Sequence, residues 1–148
     1  MAMNITPIYT GSGDVSKDGA TGMATDLLTA TGDYTGVSGN HVLVFTADAT
    51  NGGYVRRLRF QAKGTNTASV ARIYLNNGST NTTATNNTFY GQVSLPATTA
   101  INTAATAEID YPMDFALNPG FRIYVGLGTT VAAGWVCTAL GGIYTAKA

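Results

Sequence analysis

Apolar and polar residues alternate at period two along much of the chain. The clearest case lies at residues 54–76, where an apolar set alternates with a basic row and the pattern resumes after a polar break at residues 64–67. Because successive side chains of a strand point to opposite faces, each half predicts a half-buried strand. The short break predicts that the two strands pair as an antiparallel hairpin on one sheet.

Similar patterns recur through the rest of the chain. They predict a weak strand at residues 23–30, a strand buried on both faces at 41–47, strands at 88–95, 106–111 and 121–127, and a closing pair at 134–140 and 143–145. No window of eleven or more residues keeps an uninterrupted helical apolar stripe. The sequence therefore predicts an all-β fold, an antiparallel β-sandwich. The strand count and the chain length favour an eight-stranded single jelly roll over an immunoglobulin-like sandwich, which has fewer strands.

The first 22 residues differ from the rest. They contain four glycines and one short apolar island, which is interrupted by Pro7. Such a segment buries too little apolar surface to order itself. We therefore predict an extended N-terminal arm at residues 1–22, held by the body or by a neighbouring subunit, followed by the sandwich domain at residues 23–148.

Residues 76–87 read NNGSTNTTATNN and contain no residue able to build a core. This composition is typical of turns and predicts an exposed loop or hairpin tip. Such a loop is either a solvated connection or a contact loop that touches a partner, and the sequence leaves both open.

Charge is scarce in this chain. It has eight basic and eight acidic residues among 148, and charged residues make up 11% of the total, well below the roughly 25% of an average soluble domain. A net charge of zero provides no long-range field toward nucleic acid or an anionic membrane. The composition suits a subunit packed against neighbours, and equally a monomer with a polar, uncharged coat.

Few residues are available for catalysis or metal binding. Cys137 is the only cysteine and lies in an apolar run, and His41 is the only histidine. A buried thiol is the expected state of Cys137, and a catalytic triad or a zinc site lacks the residues it needs. We therefore predict no metal and no cofactor. The sequence also shows no secretory signal and no apolar run of the ~18 residues that a membrane span needs, so synthesis in a cytoplasm is expected.

One pair of acids deserves a separate test as a catalytic pair. Glu108 and Asp110 share a predicted strand face about 7 Å apart, at ~3.3 Å rise per residue, which is within the range for inverting glycoside hydrolysis. Both alternate with apolar residues, so a solvated strand face is the simpler interpretation. We predict that the chain is not an enzyme and has no catalytic residues.

The strongest polar group is a predicted basic row formed by Arg57, Arg59 and Lys63, with Arg72 and Tyr74 on the adjacent strand. Arginines on a sheet face can bind carboxylates or phosphates, and a tyrosine beside them could stack on single-stranded nucleic acid. The zero net charge argues against nucleic acid and leaves subunit contact or simple solvation. The predicted partner-contact residues are Asn4, Ile5, Ile8, Tyr9, Arg57, Arg59, Lys63, Arg72 and Tyr74.

Three blocks of the sequence resemble a group of small virion proteins of tailed bacteriophages. They read HVLVFTADATNGGYVRRLRFQAKGTNTASVARIYLNNG at 41–78, LNPGFRIYVG at 117–126 and GWVCTALGGIY at 134–144. The resemblance excludes the first thirty residues. It implies a jelly-roll-like β-sandwich that joins the particle as a capsid decoration protein or as another head or tail accessory, commonly as an oligomer, and it carries over no catalytic residue.

We therefore expect a non-enzymatic virion structural protein, in the first place a capsid decoration (cement) protein, assembled in the bacterial host cytoplasm. Its expected partners are copies of itself, with a trimer favoured, and the major capsid protein or other virion proteins; neither nucleic acid nor membrane is expected. The alternative is a receptor- or carbohydrate-binding jelly roll of a tail or head fibre. That module would use Tyr34, Tyr90 or Tyr124 as a platform for sugar rings.

Overall fold

The computed structural model describes residues 8–9, 24–30, 33–37 and 40–144. These residues form nine strands and one short 3-10 helix, Ala84–Asn86. No helix in these ranges is long and apolar enough to cross a membrane. The strands are β1 (Ile8–Tyr9), β2 (Ala24–Leu27), β3 (Val42–Thr46), β4 (Gly53–Ala62), β5 (Ser69–Asn76), β6 (Asn87–Leu95), β7 (Glu108–Leu117), β8 (Arg122–Leu127) and β9 (Trp135–Ile143).

The strands pair as one long hairpin that has been rolled up. β5 pairs with β6 at its tip, and β4 with β7, β3 with β8 and β2 with β9 follow in succession, all antiparallel. Pairing of β4 with β9 and of β5 with β8 then closes two sheets, in the orders β2-β9-β4-β7 and β3-β8-β5-β6. This is the strand order of an eight-stranded jelly roll, a double-sheet fold that leaves few open edges. The predicted all-β sandwich is confirmed.

The core lies between the two sheets. Alternate residues of each strand point inward, and the largest fully buried side chains include Trp135 of β9, Phe60 and Leu58 of β4, and Ile73 of β5. Burying an apolar side chain of this size contributes about 1.5–3 kcal/mol to folding. The inward set therefore supplies the main stabilisation and leaves the outward set available for contacts.

The predicted hairpin at residues 54–76 is wrong. β4 lies in the five-stranded sheet and β5 in the four-stranded sheet, so residues 63–68 cross from one sheet to the other. Buried Asn66 fixes this crossing, because its Oδ1 accepts the amides of Ala133 and Gly134 at 2.9 and 2.7 Å. Its Nδ2 also donates to the hydroxyl of Thr98 at 3.3 Å. These long-range hydrogen bonds hold residues 63–68 near the start of β9, so the segment does not form the tight turn of a hairpin.

Two predicted strand breaks are absent. β7 runs through Pro112 as one strand, and β9 runs through Gly141 and Gly142. A proline is tolerated in β7 because it is the edge strand of its sheet and need not donate to a neighbour on that side. At Gly141 a Cβ would collide with the main chain of Tyr54, so this glycine allows two strands to approach closely.

The polar tract at residues 76–87 is the tip of the β5–β6 hairpin, which is one of the two forms that its composition predicts. Its ends belong to the strands, and Asn76 is fully buried, which the composition did not predict. Its Nδ2 donates to Oδ1 of Asn87 at 2.8 Å, so the buried amide is satisfied across the strands.

Part of the predicted arm pairs with the body of the same chain. In β1, Ile8 faces Ile143 and Tyr9 faces Gly142 of β9, in antiparallel register. The predicted contact residues Asn4 and Ile5 lie outside the described residues.

Candidate functional site

The outer face of the five-stranded sheet carries two ion pairs. Nη1 of Arg57 lies 2.8 Å from Oδ2 of Asp110, and the guanidinium of Arg59 contacts the carboxylate of Glu108. Both pairs run diagonally between β4 and β7, because Arg59 directly faces Asp110 in the register. Their side chains remain between 40% and 44% exposed. We call these four residues the ion-pair face.

The ion-pair face bears on two hypotheses from the sequence, the basic row and the catalytic pair of acids. The arginines are not an unopposed basic row, since each is bound to an acid of the same chain. Glu108 and Asp110 share one face as predicted, and each binds an arginine. Lys63 is exposed just beyond the end of β4.

Arg72 does not belong to this face, contrary to the prediction. It lies on β5 in the other sheet, where its Cζ sits 4.2 Å from the ring centroid of Tyr34 and its Nη1 donates to the carbonyl oxygen of Asp33 at 3.3 Å. A guanidinium over an aromatic face is a favourable cation–π contact. The predicted four-cation surface is therefore divided between two opposite sides of the sandwich.

Tyr74 is buried and forms no surface contact element in this chain. Its alternation with inward residues does place it on the outer face of the four-stranded sheet, but the ring is covered by His41 at 4.4 Å and by Phe89 at 5.8 Å between centroids. The hydroxyl donates to the carbonyl oxygen of Asp33 at 2.6 Å. Burial in the first place, and then the negative charge of Asp33, raise the pKa of Tyr74 to about 12.

A short loop at residues 33–37 covers Tyr74. Oδ1 of Asp33 accepts the amides of Thr35 at 2.9 Å and Gly36 at 2.8 Å, which is an Asx turn. Gly36 has φ +75, and a Cβ there would lie 3.0 Å from the Tyr74 ring. Partial burial works to raise the pKa of Asp33, but the amide of Gly36, the charge of His41 and the amide and hydroxyl of Thr35 together lower it.

Tyr34 of the loop and Phe89 of β6 form an exposed aromatic pair. Tyr34 is 56% exposed and Phe89 is 37% exposed, and their rings meet edge to face at 5.3 Å and 85°. With Arg72 on one face of Tyr34, these three residues form a platform with one cation, which we call the Tyr34 platform. An aromatic ring with neighbouring polar donors is the arrangement that binds planar or ring-shaped ligands.

A surface cavity of about 500 Å³ lies on the same sheet, beside His41. It is lined by aromatic, amide and aliphatic side chains. The lining residues are Leu28, Thr29, Asn40, His41, Val42, Leu43, Asn81 and Tyr124. Amides, hydroxyls and an aromatic ring are the groups that recognise neutral, hydroxyl-rich ligands.

The three tyrosines predicted as a sugar platform are not grouped. Tyr34 forms its own platform, Tyr124 lines the cavity, and Tyr90 lies on another side of the sandwich against Tyr111 and Phe115, with ring centroids 6.3 and 5.2 Å away. Sequence spacing cannot show this separation, because it depends on how the strands roll up.

Cys137 is fully buried, as predicted, and burial raises its pKa far above the ordinary range of a thiol. Within the described ranges no three His, Cys, Asp or Glu side chains stand close enough together to hold a metal ion. The thiol is therefore a packing group of the core.

Sequence reasoning missed the covering role of Asp33, His41 and Phe89. The order Asp33-Tyr34-Thr35-Gly36, an acid followed by a hydroxyl residue and a glycine, is a local signal for an Asx turn. No comparable signal exists for the position of the turn on Tyr74, because the two segments are 41 residues apart.

Comparison with protein-family models, with curated proteins and with solved structures found no match. The jelly roll by itself does not assign a function, because the same fold serves viral capsid proteins, lectin domains and cupins. A function must therefore be proposed from the surfaces described above.

Proposed function

We propose that this chain is a non-enzymatic structural subunit of the virion of a tailed bacteriophage, where it decorates the capsid and stabilises it through lattice contacts. The observation that carries the proposal is the complete eight-stranded jelly roll, the fold that the resemblance to virion proteins implies. The three resembling blocks supply β3, β5 and β8 of the four-stranded sheet and β4 and β9 of the five-stranded sheet.

The ion-pair face is the proposed lattice-contact surface. In the described structure, Arg57 and Arg59 each use one nitrogen to donate a hydrogen bond to an acid of their own chain. A guanidinium carries five N–H donors. Apart from the buried Nε of Arg57, the remaining donors can bind carboxylates of a neighbour while the internal pair holds the side chain in place. Because both arginines are half exposed, they reach a partner without unfolding any local structure.

The electrical neutrality of this face supports repeated packing. Two cations and two anions alternate over β4 and β7, and the chain as a whole has a net charge of zero. Copies on a lattice therefore do not repel one another over long distances. Interfaces of about 800 Å² per partner, repeated by the symmetry of the shell, add up without any single strong bond.

A binding experiment with empty capsids that lack this chain tests the contact surface. In the double variant Arg57→Gln with Arg59→Gln, we expect the Kd for the capsid to rise by about tenfold or more, since two buried charged contacts are lost. The single variant Arg122→Gln is the control, because Arg122 lies in the other sheet and bonds the carbonyl oxygen of Ser79. Equal weakening by both variants, or by neither, would contradict the assigned surface.

A carbohydrate-binding module is the second candidate function. It is favoured by the Tyr34 platform and by the separate cavity lined by Asn40, Asn81 and Tyr124. Exposed aromatic rings stack on the apolar faces of sugars, and amides bond their hydroxyls.

A glycan array with the intact protein separates the two functions. A binding module gives reproducible signals that the variant Tyr34→Ala removes and the variant Tyr90→Ala keeps, because Tyr90 lies in a different aromatic group. Silence on the array, together with binding to empty capsids, supports the decoration role.

A further inference from the structure

Three of the four sheet edges in the described part of the chain are protected. β7 carries Glu108, Asp110 and Asp114 and contains Pro112, which has no backbone N–H to donate. β3 has five residues and a register shift between Leu43 and Phe45. At the far side of the five-stranded sheet only the short strands β1 and β2 flank β9. Charges, proline, bulges and short strands are the devices by which proteins prevent unwanted strand pairing.

The fourth edge, β6, lacks most of these devices. Its nine residues, NTFYGQVSL, include no charged residue and no proline. Most of its side chains are exposed, among them Phe89 at 37% and Tyr90 at 39%. The register with β5 skips Tyr90, which leaves residues 91–95 as a regular run; we call this the free run of β6. An edge of this kind presents unpaired backbone donors and acceptors to another strand.

We infer that the free run of β6 pairs antiparallel with the same run of a second copy, across a two-fold axis at Val93. In this register Gln92 faces the partner's Ser94 on the outer side, and Val93 faces the partner's Val93 on the inner side. The two four-stranded sheets then join into one sheet of eight strands. The inference concerns the oligomer alone and does not depend on the virion assignment.

The side chains of the free run favour a second copy of this chain as the partner strand. A two-fold axis requires a surface that complements itself, and the opposed pairs are amide with hydroxyl and valine with valine, with no like charges. A run without charge offers nothing to select a charged partner strand. Val93 is half-buried and packs against the core, so pairing covers the part of it that is still exposed.

Light scattering on a size-exclusion column tests the inference. The full chain, of 15.3 kDa, should elute with twice that mass at micromolar concentration. The variant Gln92→Glu with Ser94→Glu places acid opposite acid twice across the axis, and we expect its dimer Kd to rise by about tenfold or more. Gln92 faces Arg72 within the chain, so a glutamate at this position is compatible with folding.

A charge-matched variant at the same positions provides the rescue. In Gln92→Glu with Ser94→Lys, each introduced acid faces an introduced base of the partner, and the dimer should return. Far-UV circular dichroism spectra of both variants that match the spectrum of the wild type show that folding is intact. A monomeric wild type, an oligomer that the acidic variant leaves unchanged, or an acidic and a rescue variant that behave alike would overturn the inference.

Discussion

The phenol of Tyr74 donates a 2.6 Å hydrogen bond to the carbonyl oxygen of Asp33. This bond joins the middle of β5 to a loop 41 residues earlier and holds that loop over the four-stranded sheet. The Tyr34 platform depends on it, because Tyr34 is the next residue after Asp33.

Removing this hydroxyl should weaken the fold. We expect Tyr74→Phe to lower the free energy of unfolding by about 1 kcal/mol, the usual net contribution of such a bond, as measured by urea denaturation. Tyr124→Phe is the control, because no hydrogen bond of its hydroxyl is found within the described residues, and it should change stability by less than half as much. Similar losses in the two variants would show that the Tyr74 bond is not stabilising.

Alkaline pH should act through the same residue. Folding raises the pKa of Tyr74 from its ordinary value of 10.0 to about 12, so the folded chain favours the protonated phenol. Its contribution is fully present below pH 10 and is lost as the pH rises toward 12. The wild type should therefore lose more stability than Tyr74→Phe over this interval in denaturation curves. Parallel pH profiles would contradict the assignment.

Two glycines separate backbone strain from crowding. Gly52 has φ +83, and a Cβ there would overlap the carbonyl oxygen of Leu117, whereas Gly120 has φ +75 and open space around it. Gly120→Ala should cost about 1 kcal/mol from strain alone. Gly52→Ala should cost at least about 2 kcal/mol in thermal or urea unfolding, since the main chain must also move. Equal losses of unfolding free energy in the two variants would show that the contact with Leu117 does not destabilise Gly52→Ala.

The ion pair between Arg57 and Asp110 should contribute little to stability. Both side chains are about two-fifths exposed, and exposed pairs couple by about 0.2–1 kcal/mol. A double-mutant cycle with Arg57→Ala and Asp110→Ala should give a coupling in this range that shrinks in high salt. A larger, salt-independent coupling would mean that the face is built for stability and would weaken its assignment as a contact surface.

Cys137 should react only when the chain unfolds. The thiol is fully buried and its pKa is raised by burial, so a thiol reagent finds neither access nor thiolate. The labelling rate in dilute denaturant should follow the unfolding free energy. Fast labelling of the native protein would show that β9 opens locally.

The strands themselves were largely predictable from the sequence, because alternation reports which face of a strand is buried. Alternation does not report which strands are neighbours, and so it wrongly predicts that β4 pairs with β5. The deciding contact is made by buried Asn66, which accepts the amides of Ala133 and Gly134. These two partners follow Asn66 in the sequence by 67 and 68 positions. No local pattern encodes such a contact.

The surfaces were less predictable than the strands. Arg57 and Arg59 were correctly placed outward, but their partners depend on the register of β4 with β7, which the sequence does not specify. Arg72 and Tyr74 would share this face only if β4 and β5 formed a hairpin, but these strands lie in different sheets. The cover over Tyr74 arises from the loop at residues 33–37, whose turn has a local signature but whose position does not.

The most direct test of the proposed function compares phage particles that lack this chain with complete particles. Both are heated in steps, and genome release is followed with a dye that binds exposed DNA. We expect release at a lower temperature from particles without the chain, and recovery when purified wild-type protein is added back. Equal release temperatures for the two kinds of particle would contradict a stabilising role on the capsid.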